Sequence, residues 1–556
     1  MAGGLPHRGH AAPGHGAGQH RRRPAAGRHR GRSAGNAGTL VRDRRALPGY
    51  GAGHDDRSHR RAGGADVAGG AVGQRVAGDR TDDGDDGHGH GGVSQLHQPD
   101  FASGQYPDHG SRQLPVQGLH PGRHSAYAAR VRHCDAAAAD LLAAAAGRFL
   151  VSGESVLIVG GGQAAAQLVV SLRLGGHGGP ITLVSDENAP PYQRPPLSKQ
   201  YLAGDLERER LLLRRAEYYE SRDVELRLGR RVLSVDRGHR RAFLDDGEEL
   251  GYDRLVLATG SVLRKLDAPG SDLPGVHYLR SLDDADALHG ELAPGRRIVI
   301  VGGGYIGLEV AATAAKAGAE VTVLEAEERV MSRVASAPVA DWLTGLHRQS
   351  GVRIRVGEQV RGFAGRRRIE AVETANGTHA ADAVVVGIGV LPSADLAREC
   401  GLGEDDGILA DEHCRTEDES VLAAGDCARA VNTTLGFAVR LESVQNAVDH
   451  GQVAASVILG DPKPYSGLPW FWSDQFHVKL QIAGLARPAD ETILRGDPTS
   501  GSFAAFRLRD DRLTAVEAVS SPRDFMAGKK LIASGSAPDP GLLTDESVAL
   551  KDLIQA

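Results

Sequence analysis

Cysteine is scarce in this chain, which has four cysteines among 556 residues. They are Cys134, Cys400, Cys414 and Cys427, and no two of them have the CxxC or CxxxxC spacing of a redox-active pair. The scarcity excludes a scaffold held by several disulfides, and the spacing excludes catalysis by a dithiol. Few cysteines without a framework are typical of a reducing compartment, so the sequence predicts a cytoplasmic location.

Long apolar runs are missing as well. The Ala-rich run at 136–146 is short and is interrupted by Asp140, and the first ten residues, MAGGLPHRGH, contain no apolar stretch. A membrane-spanning helix needs about 20 mostly apolar residues, and a secretory signal needs an apolar region of roughly 7–15. The sequence therefore predicts no membrane segment and no targeting signal.

Residues 1–152 lack lysine, glutamate and isoleucine altogether, although they hold 14 of the 23 histidines. Their net charge is +7, whereas the rest of the chain carries −13. They show neither helical nor strand periodicity, and their Gly, Ala, Arg and Pro cannot build a core. We therefore predict a disordered, low-complexity segment.

Three interpretations of this segment compete. A basic tail that binds nucleic acid or metal is disfavoured, because its charges alternate in sign, only five of its residues are aromatic, and its histidines lack ligand spacing. We predict neither a metal site nor a nucleic-acid partner. The segment is otherwise a native disordered extension, or upstream DNA translated in a frame that does not encode protein. The absence of three common residue types favours the last interpretation, with Val151 as the true start.

Beyond residue 152 the sequence predicts a strand, a glycine turn and a helix twice. The first copy, VLIVGGGQAAAQ, places Gly160, Gly162 and Ala165 at the fingerprint positions, and the second, IVIVGGGYIGLEVA, follows the pattern strictly. Glycines permit a tight turn and a close approach of backbone to a pyrophosphate, and the helix offers free N–H groups to the phosphates. Two dinucleotide sites in one chain predict electron transfer between two dinucleotides.

An acidic residue follows each fingerprint at the end of the next strand. Glu325 lies 21 residues after Gly304, near the spacing expected for an acid that binds an adenosine ribose. A carboxylate there accepts hydrogen bonds from ribose hydroxyls and repels a 2′-phosphate, so NADH is favoured over NADPH. In the first copy the equivalent residue is Asp186, with Ser185 as the alternative.

Other strand ends and one loop carry further candidates. The loop PPYQRPPLSK places Arg194 and Lys199 beside prolines that fix the backbone, which suits either a solvated basic loop or a flavin dinucleotide. The strand YDRLVLATGS ends in small residues at Thr259 and Gly260, where backbone can approach a ligand. Asp426 ends another strand, and its carboxylate needs a partner such as a ribityl hydroxyl.

From Gly153 to the C-terminus the chain resembles the FAD-dependent, NADH-using ferredoxin reductases of bacterial oxygenase systems, the class of putidaredoxin, rhodocoxin and biphenyl-dioxygenase ferredoxin reductases. Seven motifs carry the resemblance in the family's order: PYQRPPLSK, LATGS, GGGYIGLEVA, GIGVLP, AAGDCA, RLESVQNA and PWFWSDQF. The resemblance implies an α/β fold with two Rossmann-like domains and a C-terminal α+β interface domain. The FAD domain is expected at 153–264 and 394–465, the inserted NAD domain at 265–393, and the interface domain at 466–556.

The resemblance also implies the roles of particular residues. FAD is expected to contact Gly160, Gly162, Ala165, Asp186, Arg194, Lys199, Ala258, Thr259, Gly260, Asp426 and Val444. NADH is expected to contact Gly302, Gly304, Ile306, Gly307, Glu325, Arg333 and Gly389. Lys199 matches a lysine close to the flavin ring, Glu309 a glutamate near the nicotinamide amide, and Trp472 a tryptophan beside the flavin; these three are the predicted catalytic residues. For Glu309 the alternative is an acid that stabilises a helix N-terminus.

The implied function is transfer of electrons from NADH through FAD to a two-iron two-sulfur ferredoxin that serves an oxygenase. Docking of the acidic ferredoxin is expected at Arg440, Lys529 and Lys530, which are otherwise solvated surface charges. A rubredoxin reductase shares most of these motifs and is one alternative. A redox scaffold similar to apoptosis-inducing factor is the other, although the acidic charge of residues 153–556 disfavours its binding of DNA.

Overall fold

The structure is a computed structural model that describes residues 153–554. The predicted disordered segment 1–152, which includes Cys134, lies outside the described residues. Among residues 153–554 we find no helix with the length and apolarity to span a bilayer.

The described elements follow the chain in four stretches. The first contains β1 Val156–Val159, α1 Gln163–Leu174, β2 Ile181–Ser185, α2 Ala216–Glu220, β3 Val224–Leu228, β4 Val232–Asp236, β5 Arg241–Leu244, β6 Glu249–Gly251, β7 Arg254–Leu257 and β8 Ser261–Leu263, with 3₁₀ turns at Pro195–Ser198 and Arg208–Leu211. The second contains β9 Val276–His277, α3 Leu282–His289, β10 Arg297–Val301, α4 Tyr305–Lys316, β11 Glu320–Leu324, α5 Ala337–Gln349, β12 Arg353–Arg355, β13 Val360–Ala364, β14 Ala371–Thr374, β15 Gly377–Ala380, β16 Ala383–Val386 and β17 Val390–Pro392.

The third stretch contains α6 Asp395–Glu399, β18 Gly403–Glu404, β19 Gly407–Ala410, β20 Val421–Ala423, β21 Ala428–Asn432, β22 Phe437–Val439 and α7 Val444–Ile458. The last contains β23 Trp470–Gln475, β24 Val478–Gly484, β25 Glu491–Arg495, β26 Phe503–Arg509, β27 Arg512–Val519, α8 Pro522–Ala533 and α9 Pro540–Thr544, with 3₁₀ turns at Pro498–Ser500 and Leu550–Leu553.

Two parallel sheets repeat one arrangement. Their strand orders are β20-β7-β1-β2-β3 and β9-β16-β10-β11-β12, with β1 and β10 in the middle. Every residue of β1 is buried, as expected for a strand that is covered on both faces. Strand β20 follows the whole second sheet in the sequence but pairs with β7 of the first sheet. The first nucleotide-binding domain is therefore discontinuous in sequence.

The C-terminal stretch forms a third kind of layer. Its five strands make an antiparallel sheet in the order β23-β24-β27-β26-β25, and α8 packs against β27. The apolar residues between them include Val516 and Phe525, both buried. The α/β fold class is therefore confirmed: two dinucleotide-binding domains, the first in two pieces, and a C-terminal α+β domain. The exact domain boundaries stay predictions.

The glycine turns are required by close backbone packing. Gly160 has φ +120° and Gly302 has φ +103°, values that side chains with a Cβ rarely adopt. A Cβ at Gly160 would lie 2.1 Å from the carbonyl oxygen of Ala258, and one at Gly302 would lie 2.4 Å from that of Gly387. The end of each central strand thus lies against the end of the neighbouring strand, β7 or β16.

A histidine supports the turn that precedes Asp426. His450, on α7, is fully buried, and its Nδ1 accepts a hydrogen bond from the backbone N–H of Gly425 at 3.2 Å. Burial lowers the pKa of His450 to about 4, so the ring is neutral at pH 7. The neutral ring holds the turn at the end of β20 in place.

We expect Gly160→Ala to cost the apoprotein at least ~2 kcal/mol of unfolding free energy, because a Cβ meets backbone at a positive φ. Gly162→Ala is the matched control in the same turn. A Cβ at Gly162 meets nothing within 4 Å, and its φ of −97° suits alanine, so its cost should be about 1 kcal/mol or less. Chemical denaturation of both variants without cofactor measures the difference; equal costs would contradict the role of the Ala258 contact.

The pKa of His450 predicts an acid-sensitive fold. The unfolded chain binds the proton near pH 6.5 and the folded chain only near pH 4, so stability is lost as pH falls between these values. We expect His450→Gln, whose oxygen can still accept from Gly425, to lose ~2–3 kcal/mol less than the wild type between pH 7 and pH 4.5. Denaturant titrations at both pH values test this, with the exposed His477→Gln as control. Parallel losses in His450→Gln and wild type would exclude the effect.

Candidate functional site

The first fingerprint helix begins with open N–H groups. Gly162 is the residue before α1; no side chain caps this end, and no acidic residue lies in the first turn. By contrast, the Ser281 hydroxyl and the Asp284 carboxylate form a capping box at α3. Ala165, in the first turn of α1, is fully buried. Uncapped N–H groups at a glycine turn provide a site for a pyrophosphate.

A cationic cluster lies beside the end of β20. The Asp426 carboxylate accepts a hydrogen bond from the Ser261 hydroxyl at 3.0 Å, and the guanidinium groups of Arg194 and Arg280 lie close enough to stabilise its charge. Burial nevertheless raises the pKa of Asp426. Burial, and then the neighbouring Arg194, lower the pKa of Arg280.

Arg280 was missed in the sequence. Its guanidinium makes no hydrogen bond or ion pair with any residue from 153 to 554, and it lies 3.2 Å from the position that a Cβ on Gly260 would take. Arg280 immediately precedes the capping box at Ser281, a pattern that marks a helix start but says nothing about the surroundings of the guanidinium. A half-buried guanidinium that has no partner within residues 153–554 and lies near Gly260 and Asp426 fits an anionic cofactor such as FAD.

The other predicted FAD residues have varied positions. Ala258, Thr259 and Gly260 follow β7, and the Thr259 hydroxyl donates to the carbonyl of Ser393 at 2.5 Å. Asp186 lies at the end of β2, more than half exposed, with Arg231 at 2.8 Å. Val444 begins α7.

Arg194 is held from two sides. Its guanidinium pairs with Glu187 at 2.5 Å and donates to the carbonyl oxygen of Arg280 at 2.8 Å. Glu187, which also accepts from the Tyr192 hydroxyl, was not a sequence candidate.

Lys199 and Glu309 form a buried ion pair. The Lys199 Nζ lies 2.6 Å from Glu309 Oε2, with 12% and 5% of the two side chains exposed. The same Glu309 oxygen accepts from the Ser198 hydroxyl at 2.5 Å, and Oε1 accepts from the Ser473 hydroxyl at 2.6 Å. Glu309 is therefore bound by side chains of other domains rather than by its own helix N-terminus. Neither serine was a sequence candidate, because they are 111 and 164 residues away from Glu309.

All seven predicted NADH contacts line one cleft of about 980 Å³. They are Gly302, Gly304, Ile306, Gly307, Glu325, Arg333 and Gly389. The N-terminus of α4, like that of α1, has no side-chain cap and no acidic residue in its first turn. The cleft also contains Leu441 to Ser443, just before α7, and Trp470, Phe471 and Arg487 of the C-terminal domain. Three domains thus contribute to the walls of the cleft.

The Glu325 carboxylate is fixed in position. It accepts hydrogen bonds from the backbone N–H groups of Gly303 at 2.6 Å and Glu327 at 2.9 Å. The Arg329 guanidinium pairs with the Asp341 carboxylate at 3.0 Å and not with Glu325. The acid at the end of β11 therefore faces the cleft in one orientation, as a ribose-binding acid requires.

Strand β23 carries two tryptophans, of which Trp470 lines the cleft. Trp470 and Trp472 lie on the same face of β23, and their ring centroids are 5.5 Å apart. The backbone N–H of Trp470 donates to the Gln445 side chain on the first turn of α7 at 3.3 Å. On the other side of Trp470, the Lys529 ammonium lies 5.0 Å from the ring centroid.

The three predicted docking cations differ in environment. Lys530 is exposed and has no ion pair within the described part of the chain. Burial lowers the pKa of Lys529, which lies near Asp449. Arg440 is only 16% exposed and pairs with Glu442 at 2.7 Å and Asp406 at 3.4 Å. Arg440 thus neutralises charges of its own chain.

Within residues 153–554, Cys400, Cys414 and Cys427 are free thiols, and burial raises the pKa of all three. No group of three or more potential metal ligands comes together in the same residues. We find no arrangement there for dithiol or metal chemistry.

Comparison with known proteins gives one consistent result. The pyridine nucleotide-disulphide oxidoreductase model matches residues 154–451, and the reductase C-terminal model matches residues 470–554. Rhodocoxin reductase of Rhodococcus erythropolis is 45% identical over 400 residues, 71% of this chain and 93% of that protein. Putidaredoxin reductase of Pseudomonas putida is 41% identical over 410 residues, 72% of this chain and 97% of that protein.

Among solved structures, the covalent complex of putidaredoxin reductase with putidaredoxin is similar with a TM-score of 0.71 and 40% identity, covering 72% of this chain and 98% of that one. Proteins of this group use FAD and a nicotinamide dinucleotide, and the site built by Arg280, Asp426 and α1 fits the former. The chain therefore belongs to the pyridine nucleotide-disulphide oxidoreductase family, among the ferredoxin reductases of oxygenase systems.

Proposed function

We propose that this reductase takes electrons specifically from NADH and delivers them to a two-iron two-sulfur ferredoxin. The observation that carries the proposal is the shared cleft, in which the seven NADH residues meet the residues before α7 and the aromatic strand β23. Bound FAD supplies acceptance of a hydride and release of single electrons. The protein binds both dinucleotides, orients them and offers a docking face.

For FAD, we propose that the N–H groups after Gly160 and Gly162 hold the pyrophosphate and that Asp186 binds the adenosine ribose. Arg280 and Arg194 add positive charge. The Asp426 oxygen that is not bonded to Ser261 accepts a hydrogen bond from a ribityl hydroxyl. Ala258, Thr259 and Gly260 bring backbone close to the cofactor. The N-terminus of α7 at Val444 directs its positive dipole end toward the ring.

For the nicotinamide site, we propose that Lys199 acts as a fixed positive charge beside the flavin ring. Glu309, with its three donors, holds the Lys199 ammonium in one place and faces the nicotinamide amide. Tyr305, in the first turn of α4, packs against Phe471 of β23 with centroids 4.2 Å apart. These side chains exclude water from the region where hydride passes.

For the partner, we propose that electrons leave near Trp472 and Trp470 and that the ferredoxin docks over the adjacent face of α8. Lys529 and the exposed Lys530 supply positive charge there, next to the tryptophan pair. Putidaredoxin reductase, a relative, has been captured with its ferredoxin, putidaredoxin. Arg440 contributes less, because its charge is used within the chain.

We also propose a cytoplasmic location. The free thiols of Cys400, Cys414 and Cys427 support this location, because oxidising compartments favour disulfides.

Glu325→Gln is expected to remove most of the preference for NADH over NADPH. Losing a charged acceptor for the ribose hydroxyls costs about 2 kcal/mol, so the ratio of kcat/KM values for NADH over NADPH should fall at least ~10-fold. The measurement is anaerobic bleaching of the flavin band and steady-state reduction of a ferredoxin, with each nucleotide in parallel.

The control is Glu328→Gln, which removes the same charge from an exposed position three residues further on. A wild-type protein that uses both nucleotides equally, or a Glu325→Gln variant with unchanged preference, would contradict the NADH proposal. Reduction of a rubredoxin but not of a two-iron ferredoxin would contradict the partner proposal.

Lys530→Ala is expected to raise the KM for ferredoxin ~3-fold, because an exposed charge at a docking face acts mainly on association. The rate of ferricyanide reduction by NADH should not change, since the substitution leaves the cofactor sites intact. Measurements at low and high salt should show the difference shrinking as salt screens the charges. Lys463→Ala, another exposed lysine, is the control; an equal effect of both substitutions would exclude a local docking role for Lys530.

A further inference from the structure

The hydrogen bonds at Glu309 continue into the protein interior. The Ser473 hydroxyl, which contacts Glu309 Oε1, lies 3.1 Å from the Gln475 Nε2. The Gln475 Oε1 lies 2.9 Å from the Nε2 of His347 on α5. Glu309, Ser473, Gln475 and His347 are all buried, with at most 5% of each residue exposed. The four side chains form a buried series of hydrogen bonds, which we call the Glu309 chain.

The protons in the Glu309 chain have one consistent direction. A carboxylate only accepts, so the Ser473 hydroxyl donates to Glu309 and uses a lone pair to accept from Gln475. The Gln475 carbonyl oxygen then accepts from His347, which must carry its proton on Nε2. Burial lowers the pKa of His347, and its Nδ1 has no partner within residues 153–554, both of which agree with a neutral Nε2–H ring.

The Glu309 chain crosses domains. Glu309 and His347 belong to the NAD domain, on α4 and α5, whereas Ser473 and Gln475 belong to β23 of the C-terminal domain. Lys199, at the other end, belongs to the FAD domain. Gln475 and His347 have no role in the proposed function, yet both are placed to fix the hydroxyl of Ser473.

We propose that Gln475 and His347 are positioning residues that set the charge environment of the flavin through Ser473, Glu309 and Lys199. This inference rests on the proposed function, in which Lys199 lies beside bound FAD. With the chain intact, Ser473 always donates to Glu309 and disperses its negative charge. Without Gln475, the Ser473 hydroxyl is free to turn away, and Glu309 then compensates more of the Lys199 charge.

The expected consequence is a change in redox preference. Less positive charge next to the ring disfavours the reduced, more negative cofactor. We expect Gln475→Met, which keeps the volume and removes both hydrogen bonds, to weaken the preference for reduced over oxidised FAD about 10-fold, a fall of about 30 mV for a two-electron couple. His347→Leu should act in the same direction, and His347→Gln, which keeps a side-chain N–H, should restore the wild-type value.

The test is an anaerobic titration of the bound flavin against a reference dye, in the full-length holoprotein, with the midpoint potential as the readout. Trp342→Phe is the matched control: it removes a hydrogen bond of 2.8 Å to the Pro498 carbonyl, also between α5 and the C-terminal domain, but outside the Glu309 chain. Its potential should equal that of the wild type.

Wild-type potentials in Gln475→Met and His347→Leu would overturn the inference, as would an equal shift in Trp342→Phe or a lack of rescue by His347→Gln. Failure of the wild-type chain to bind FAD, or to be reduced by NADH, would instead contradict the proposed function. The two failures are thus distinguishable in one series of proteins.

Discussion

The arrangement of the domains depends on the ion pair and hydrogen bonds of the buried Glu309 carboxylate. A carboxylate at this depth is tolerated only when its charge is paired and its oxygens are hydrogen-bonded. Here the compensation comes from Ser198 and Lys199 of the FAD domain and from Ser473 of the C-terminal domain. Loss of one partner of a buried ion pair typically costs 3–5 kcal/mol, so the three domains are held in one relative position at the place where both dinucleotides must meet.

A second buried acid, which lines the cleft, repeats this logic. Glu517, on β27, accepts from the backbone and hydroxyl of Ser336, just before α5, at 2.8 and 2.6 Å. Its other oxygen pairs with Arg507 at 3.0 Å. Glu309 and Glu517 thus both join the NAD domain to the C-terminal sheet through directional hydrogen bonds, in addition to apolar contacts.

Sequence reasoning was most successful where chemistry depends on neighbours in the chain. The glycines, the strand-end acid Glu325 and the uncapped helices belong to local patterns, and the structure brings all seven residues predicted to contact NADH into one cleft. It missed residues whose surroundings come from distant elements: Arg280 lies near Asp426, 146 residues away in sequence, and the Ser473 hydroxyl donates to Glu309 across 164 residues. A serine or an arginine in a loop carries no periodic or spacing signal, because only the packing of domains decides what it faces.

The acidic charge of residues 153–556 raises the question of how the acidic ferredoxin that we propose as the partner would be attracted. Most cations in this part of the chain are paired internally, as Arg440 is, and such pairs present little field to a partner. Lys530 is exposed and has no ion pair among residues 153–554. Its neighbour on α8, Lys529, has its ammonium 5.0 Å from the ring centroid of Trp470. Because long-range repulsion is screened beyond a Debye length of about 8 Å, a local positive face is sufficient for docking at physiological salt. In the proposed docking mode, the attracting charges and the tryptophan pair share one small area, and a ferredoxin bound by charge would also be bound at the proposed electron exit.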